Sequence, residues 1–139
     1  MRTFLAAGLT MVLWGISPLF DKLALGRIPP FLAVVLRSSV ITACLVAALV
    51  ASGQTATVGK VNGRAFGFLA AGALSAGLLG QITYYYALRQ GRASTVVPLI
   101  ASYPLVTVAL STLLLREHVT WIRGLGAMAV VTGIILLRH

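Results

Sequence analysis

The chain has 139 residues, 59% of them hydrophobic and 9% charged, with eleven Lys and Arg against two acids for a formal net charge of +9. An ordinary soluble domain carries roughly 25% charged residues, so this composition excludes a soluble globular fold and makes lipid the outer solvent. The basic residues punctuate long apolar runs instead of clustering on a hydrated face, which fits headgroup anchors and argues against a nucleic-acid partner.

A bilayer core needs about 20 apolar residues per helix, and five segments meet that need. The first runs from about Phe4 to Leu25, with Asp21 and Lys22 in its last turn. Arg2 followed by an apolar stretch resembles a signal peptide, but no small-residue cleavage site follows, so it reads as a span. The second runs from about Pro29 to Ala51, opened by two prolines whose missing amide donors cost little there. Cys44, alone of its kind, sits in mid-run as a small apolar residue and allows neither an intrachain disulfide nor a multi-cysteine metal site. After the polar stretch Ser52 to Asn62 comes the third span, about Arg64 to Leu88. Arg89 to Arg92 form a tight turn into the fourth, about Ala93 to Leu115. Arg116-Glu117-His118 is the next turn, and the fifth span runs from about Val119 to Leu137. Merging two spans across either turn would bury several charges, each costing about 2.5–3.5 kcal/mol at mid-bilayer. The expected fold is all-α, a single transmembrane domain of five helices over residues 1–139.

Short turns make neighbouring helices antiparallel and put the termini on opposite sides. The N-terminal side then holds Arg2, Lys60, Arg64, Arg116 and Arg123. The other holds Lys22, Arg27, Arg89, Arg92 and Arg138, with Arg37 inside the second span. Five against six is a tie, so the positive-inside rule assigns no orientation. Such a tie suits either a single orientation set by other details or insertion in both.

From Gly80 onward the chain resembles the EamA-type members of the drug/metabolite transporter superfamily. The resemblance is carried by Tyr84 to Leu88, Ala93 to Pro98, Leu115 to Thr120, and the last span with Gly124, Gly126 and Gly133. Trp14-Gly15, Pro18, Phe20, Lys22 and Arg37 match near the start. Typical members have ten spans in two five-span repeats of inverted topology, and this chain looks like one repeat. The resemblance therefore implies an antiparallel homodimer that rebuilds the inverted-repeat carrier, in agreement with the tied charges. It also implies the cytoplasmic (inner) membrane of a bacterial-type cell.

Several residues are candidates for more than packing. Gly72, Ala76 and Gly80 repeat four apart in the third span, which lets a neighbouring helix approach closely; Ala129 and Gly133 repeat the device and suggest a dimer seam. Gln81, Tyr84, Tyr85 and Leu88 share a helical face. Gln81 needs polar partners at that depth, whereas the tyrosines suit a cavity wall or an interfacial belt equally. Pro18, Pro98 and Pro104 free the carbonyls of Trp14, Ser94 and Ile100. Such breaks mark either packed kinks or a transporter site. Trp14, Ser102 and Tyr103 complete the substrate-cavity candidates. Arg37 lies about 12 Å inside its span. It either snorkels outward or pairs with an acid, Asp21 in its own chain or Glu117 of an antiparallel partner.

In the four-span multidrug members of the superfamily a glutamate in the middle of the first span carries protons and cations. Trp14 occupies that region here, so proton-coupled cation antiport is disfavoured, and the expected substrate is a neutral, zwitterionic or anionic small molecule. No nucleophile, phosphate-loop or metal-ligand pattern appears, and His118 and His139 fall on opposite sides. Neither enzymatic activity nor a cofactor is therefore expected. A non-transporting membrane scaffold and a lipid-linked-sugar translocator, with Arg37 on a polyprenyl phosphate, are the alternatives to a small-solute carrier.

Overall fold

A computed structural model describes residues 2–114 and 120–137. It contains helices and no strand among these residues: α1 (Arg2–Leu25), α2 (Pro30–Ala51), α3 (Thr55–Val58), α4 (Gly63–Gly72), a π-helical stretch (Ala73–Gly80), α5 (Gln81–Gln90), α6 (Ala93–Ile100), α7 (Tyr103–Leu114) and α8 (Trp121–Leu137). Among the described residues, four stretches are long and apolar enough to cross a membrane: α1, α2, the continuous Gly63–Gln90 and the pair Ala93–Leu114. The last helix has 17 described residues, short of the usual 20 or so. The turn at 116–118, with Glu117, and the expected start of the fifth span at Val119 lie outside the described residues, while its expected end, Leu137, is the last residue of α8.

Local chemistry explains the boundaries. Pro29 is the extended N-cap of α2 and Pro30 its first residue, where a fixed φ and an absent amide suit a helix start. At the far end Gly53 takes a φ of +68° and its amide donates to the Val50 carbonyl while that of Ser52 reaches Ala48. This is the left-handed closing turn that glycine adopts without strain. The Asn62 side chain accepts from the Arg64 amide at 2.9 Å and caps α4. Pro18 sits inside α1 without ending it, its ring buried.

The third span is not the uniform α-helix that the four-residue spacing of Gly72, Ala76 and Gly80 suggests. Its middle eight residues are π-helical, a wider winding in which amides reach back five residues. Return to α geometry at α5 shifts the acceptor register, and the Thr83 hydroxyl lies 3.0 and 2.9 Å from the Leu79 and Gly80 carbonyls. A Cβ placed on Gly80 would lie 3.1 Å from the Ser75 carbonyl oxygen, so the close approach of that carbonyl favours glycine there.

The chain divides into two compact units, Met1–Gln90 and Gly91–His139. In the first, α1, α2 and α5 pack on one another. Its buried residues Pro18, Leu25, Pro30, Ala33, Val34, Tyr85 and Leu88 all belong to the C-terminal parts of α1 and α5 and the N-terminal part of α2. In the second, α6 packs on α8. Its membrane stretch is broken at Ala101-Ser102, between α6 and α7. There the Ala101 amide still reaches Val97 and the Ser102 amide reaches Leu99.

Leu88 is wholly inaccessible. In soluble cores a Leu→Ala change costs about 2–5 kcal/mol. In lipid the transfer part of that cost is absent, since acyl chains are as apolar as leucine. Leu88→Ala is therefore expected to cost about 1–3 kcal/mol in a denaturing-detergent unfolding titration, and Leu13→Ala, on an exposed stretch of α1, less than about 0.5 kcal/mol.

Candidate functional site

Asp21, Arg37 and Tyr85 come from three different helices and meet in one hydrogen-bonded cluster. Arg37 Nη1 donates to Asp21 Oδ2 at 2.8 Å and to Tyr85 Oη at 3.0 Å. The Tyr85 hydroxyl in turn donates to Asp21 Oδ1 at 2.7 Å. Ser17, one turn before Asp21 on the same face of α1, adds a long contact of 3.4 Å to Oδ2. Both carboxylate oxygens are thus engaged, and the Asp21 side chain is only 13% exposed against 36% for Arg37.

The helix register explains the meeting. Asp21 lies four residues before the end of α1, Arg37 seven residues after the start of α2, and Tyr85 five residues before the end of α5. At 1.5 Å per residue these are depths of about 6–10 Å from the same end of the three helices. A lone charge at that depth is costly, and a pair with its remaining hydrogen-bonding positions filled is the arrangement that tolerates it. Next to it Lys22 Nζ donates to the carbonyls of Leu88 and, at 3.2 Å, Arg89. A cation at the C-terminal end of a helix meets carbonyls that lack helical donors and the negative end of the dipole.

The cluster borders an open cavity of about 470 Å³ lined by Ser17, Asp21, Ala24, Ile28, Ala33, Leu36, Arg37, Val40, Ile41 and Tyr85. Most of this wall is apolar, and the charged and hydroxyl groups are gathered at one side.

The structure brings together three of the residues singled out in the sequence, Asp21, Arg37 and Tyr85, and places the others elsewhere. Tyr84 packs against the Tyr85 ring at a centroid distance of 5.6 Å and a tilt of 53°. Gln81 is half-buried one turn earlier, outside the cavity lining. Trp14 is 66% exposed, and buried Pro18 is not among the lining residues. In the second unit Pro98 lies inside α6 and is half-buried. The Ser102 hydroxyl turns back to its own Leu99 carbonyl at 2.6 Å, and Tyr103 is 53% exposed. Gly72, Ala76 and Gly80 all lie in an exposed stretch. A Cβ on Gly72 or Gly133 would meet nothing within 4 Å, and Ala129 is exposed as well. The partner arrangement of Arg37 with Glu117 lies outside the described residues. Ser17 was missed by sequence reasoning, although its i, i+4 spacing to Asp21 was the available signal.

Because the cluster is a network, its members should act non-additively. Removing one member of a buried ion pair costs about 3–5 kcal/mol. With Arg37 one-third exposed, Arg37→Gln is expected to fall below that range, at about 1–3 kcal/mol, in a detergent unfolding titration, and Asp21→Asn/Arg37→Gln together to cost markedly less than Arg37→Gln alone. Additive losses in the double-mutant cycle would show that the groups are not coupled. Tyr85→Phe is expected to cost about 1–2 kcal/mol through the loss of two hydrogen bonds to charged groups.

Comparison with known proteins gives the cluster its setting. Residues 1–138 match the model of the EamA-like transporter family. An uncharacterized protein of Methanocaldococcus jannaschii is 35% identical over 140 residues, which cover 99% of this chain and 97% of the relative. An uncharacterized transporter of a Sinorhizobium species, from the region 3′ of cobO, is 28% identical over 122 residues, covering 88% of this chain and 86% of that protein. No solved structure matches the chain. A family of integral membrane transporters, not of enzymes, agrees with the four apolar membrane-length stretches. With a family match over nearly its whole length, the chain belongs to the EamA-like transporter family.

Proposed function

We propose that this membrane transporter moves a small metabolite or drug-like solute by alternating access, as an antiparallel homodimer of five-span protomers. The observation that carries the reading is the Asp21–Arg37–Tyr85 cluster on the wall of a cavity at membrane depth. A scaffold needs no charged cavity there, and intramembrane charges that face a cavity are the usual mark of a solute path. The break at Ala101-Ser102, flanked by Pro98 and Pro104, supports the same reading, since interrupted spans in transporters supply backbone groups to a site.

The homodimer is supported by size and charge. The two relatives are matched over 97% and 86% of their own lengths, so neither has room for a second copy of the matched sequence. With α8 as the fifth span, one protomer corresponds to a single repeat of an inverted-repeat carrier. The near-equal distribution of Lys and Arg permits insertion both ways. The inner membrane of a bacterial-type cell is the proposed location. A neutral, zwitterionic or anionic solute fits the absence of a carboxylate in the middle of the first span.

Liposomes containing only this chain are expected to show saturable counterflow of at least one solute from a broad panel of small metabolites, above protein-free vesicles. Flux absent across the whole panel would favour the scaffold instead. Reporters fused after His139, one active only inside and one only outside the cell, should both give signal. Activity of one reporter alone would remove the antiparallel arrangement and leave the carrier.

A further inference from the structure

Resting on the carrier reading, we propose that Arg37 is the anion-recognising group of the cavity in the first unit. It takes the carboxylate or phosphate head of a compact amphipathic solute by exchanging part of its contact with Asp21.

A guanidinium has five N–H donors in a planar fork. Asp21 and Tyr85 both engage Arg37 through Nη1, and neither Nε nor Nη2 donates to a partner among the described residues. Donors left in this state at membrane depth are costly unless water or a ligand meets them. Arg37 is one-third exposed and lines the cavity, so that unfilled edge is accessible to a solute. Two parallel N–H donors match a carboxylate or phosphate oxygen pair, a geometry an ammonium cannot offer.

Charge decides the sign of the ligand. This end of α1, α2 and α5 and the loop from α1 to α2 carry Lys22, Arg27, Arg37 and Arg89 against Asp21 alone. A cationic solute would have to displace Arg37 from a carboxylate that also accepts from Tyr85 and Ser17, and would enter a region already in positive excess. An anion meets the unfilled guanidinium edge and lowers that excess. The rest of the ligand follows from the walls: Ala24, Ile28, Val40 and Ile41 suit a small apolar body and offer it no hydrogen bonds.

The test uses purified full-length protein in a neutral detergent, with benzoate, phenyl phosphate and benzylamine as probes at matched ionic strength and thermal unfolding as the readout. Benzoate or phenyl phosphate should raise the melting temperature in a saturable way, and benzylamine should not. Asp21→Asn keeps a hydrogen-bond acceptor but removes the competing charge. It should tighten the anion midpoint by about tenfold, as expected when the binding-competent fraction of Arg37 rises. Asp21→Asn/Arg37→Gln removes both charges together and should abolish the anion effect. Arg37→Lys, which keeps the charge and loses the fork, should weaken it by at least about tenfold and serves if the double variant does not fold.

The proposal is overturned if neither anion shifts the melting temperature, if benzylamine stabilises as well as benzoate, or if Asp21→Asn weakens the anion effect. It is equally overturned if the anion effect survives both Arg37 variants. The source of the anion is read from nanodiscs of phosphatidylcholine with and without phosphatidylglycerol. Phosphatidylglycerol that competes with benzoate in an Arg37-dependent way assigns the site to a lipid headgroup. Benzoate protection indifferent to it assigns the site to a water-soluble anion. Counterflow without any anion preference would overturn this proposal and leave the carrier standing.

Discussion

A carboxylate and a guanidinium set 6–10 Å inside the ends of lipid-facing helices have little water to share and must find counter-charge in protein. Asp21 and Arg37 meet at 2.8 Å because α1 ends and α2 begins at one level, joined by a loop of only four residues, Gly26–Pro29. That loop makes the two helices antiparallel neighbours, and the ion pair then selects which faces meet. Tyr85 extends the same choice to α5, since its hydroxyl serves both charged groups at once. One interaction therefore sets the rotation of two helices directly and of a third through a phenol.

Packing follows the polar contacts. Lipid offers no hydrophobic drive for helices to associate, so close packing and interhelical hydrogen bonds must hold them. In the first unit the buried side chains Leu25, Ala33, Val34 and Leu88 lie within two turns of the cluster, along the same end of the helices. Lys22 fastens α1 to the last turn of α5 on the adjoining face. Away from this end the same helices expose their apolar side chains along their length, as a surface bathed in acyl chains or a partner subunit can. Such an arrangement, firm at one end and loosely packed at the other, is compatible with a carrier whose helices part around a cavity.

Four of the five expected spans were legible because composition and length dominate in lipid, and Pro29-Pro30 and the polar stretch from Ser52 to Asn62 mark where the second begins and ends. Asp21 was legible as a partner of Arg37 for a different reason, namely that the chain has only two acids. Its bond to Tyr85 was not legible, since helical periodicity places Tyr85 on a face with Gln81 and Tyr84 without saying which helix meets that face. The π-helical stretch was equally hidden: Leu74, Leu78 and the small residues around them satisfy α spacing, and the change of winding depends on backbone hydrogen bonding rather than on side-chain type. Trp14 shows the converse. Its depth in the span suggested a cavity, yet depth along a helix says nothing about azimuth, and the ring lies on an open face.

Finding Asp21 beside Arg37 also changes what supports the dimer. An arginine with no acid in reach of its own chain would have demanded Glu117 from an antiparallel partner, and the ion pair within one chain removes that demand. The antiparallel arrangement then stands on the balance of basic residues and on the length of the relatives, neither of which involves the cavity. The anion-binding role of Arg37 is correspondingly independent of the dimer, because every group invoked for it belongs to the first unit of one chain. Were both roles real, a second copy inserted the other way would carry the same Asp21–Arg37–Tyr85 cluster toward the opposite face of the membrane. Each face would then hold one guanidinium able to exchange a carboxylate side chain for a solute anion. In an inverted-repeat carrier the two halves present equivalent groups toward opposite sides of the membrane, and a single repeat encodes them once.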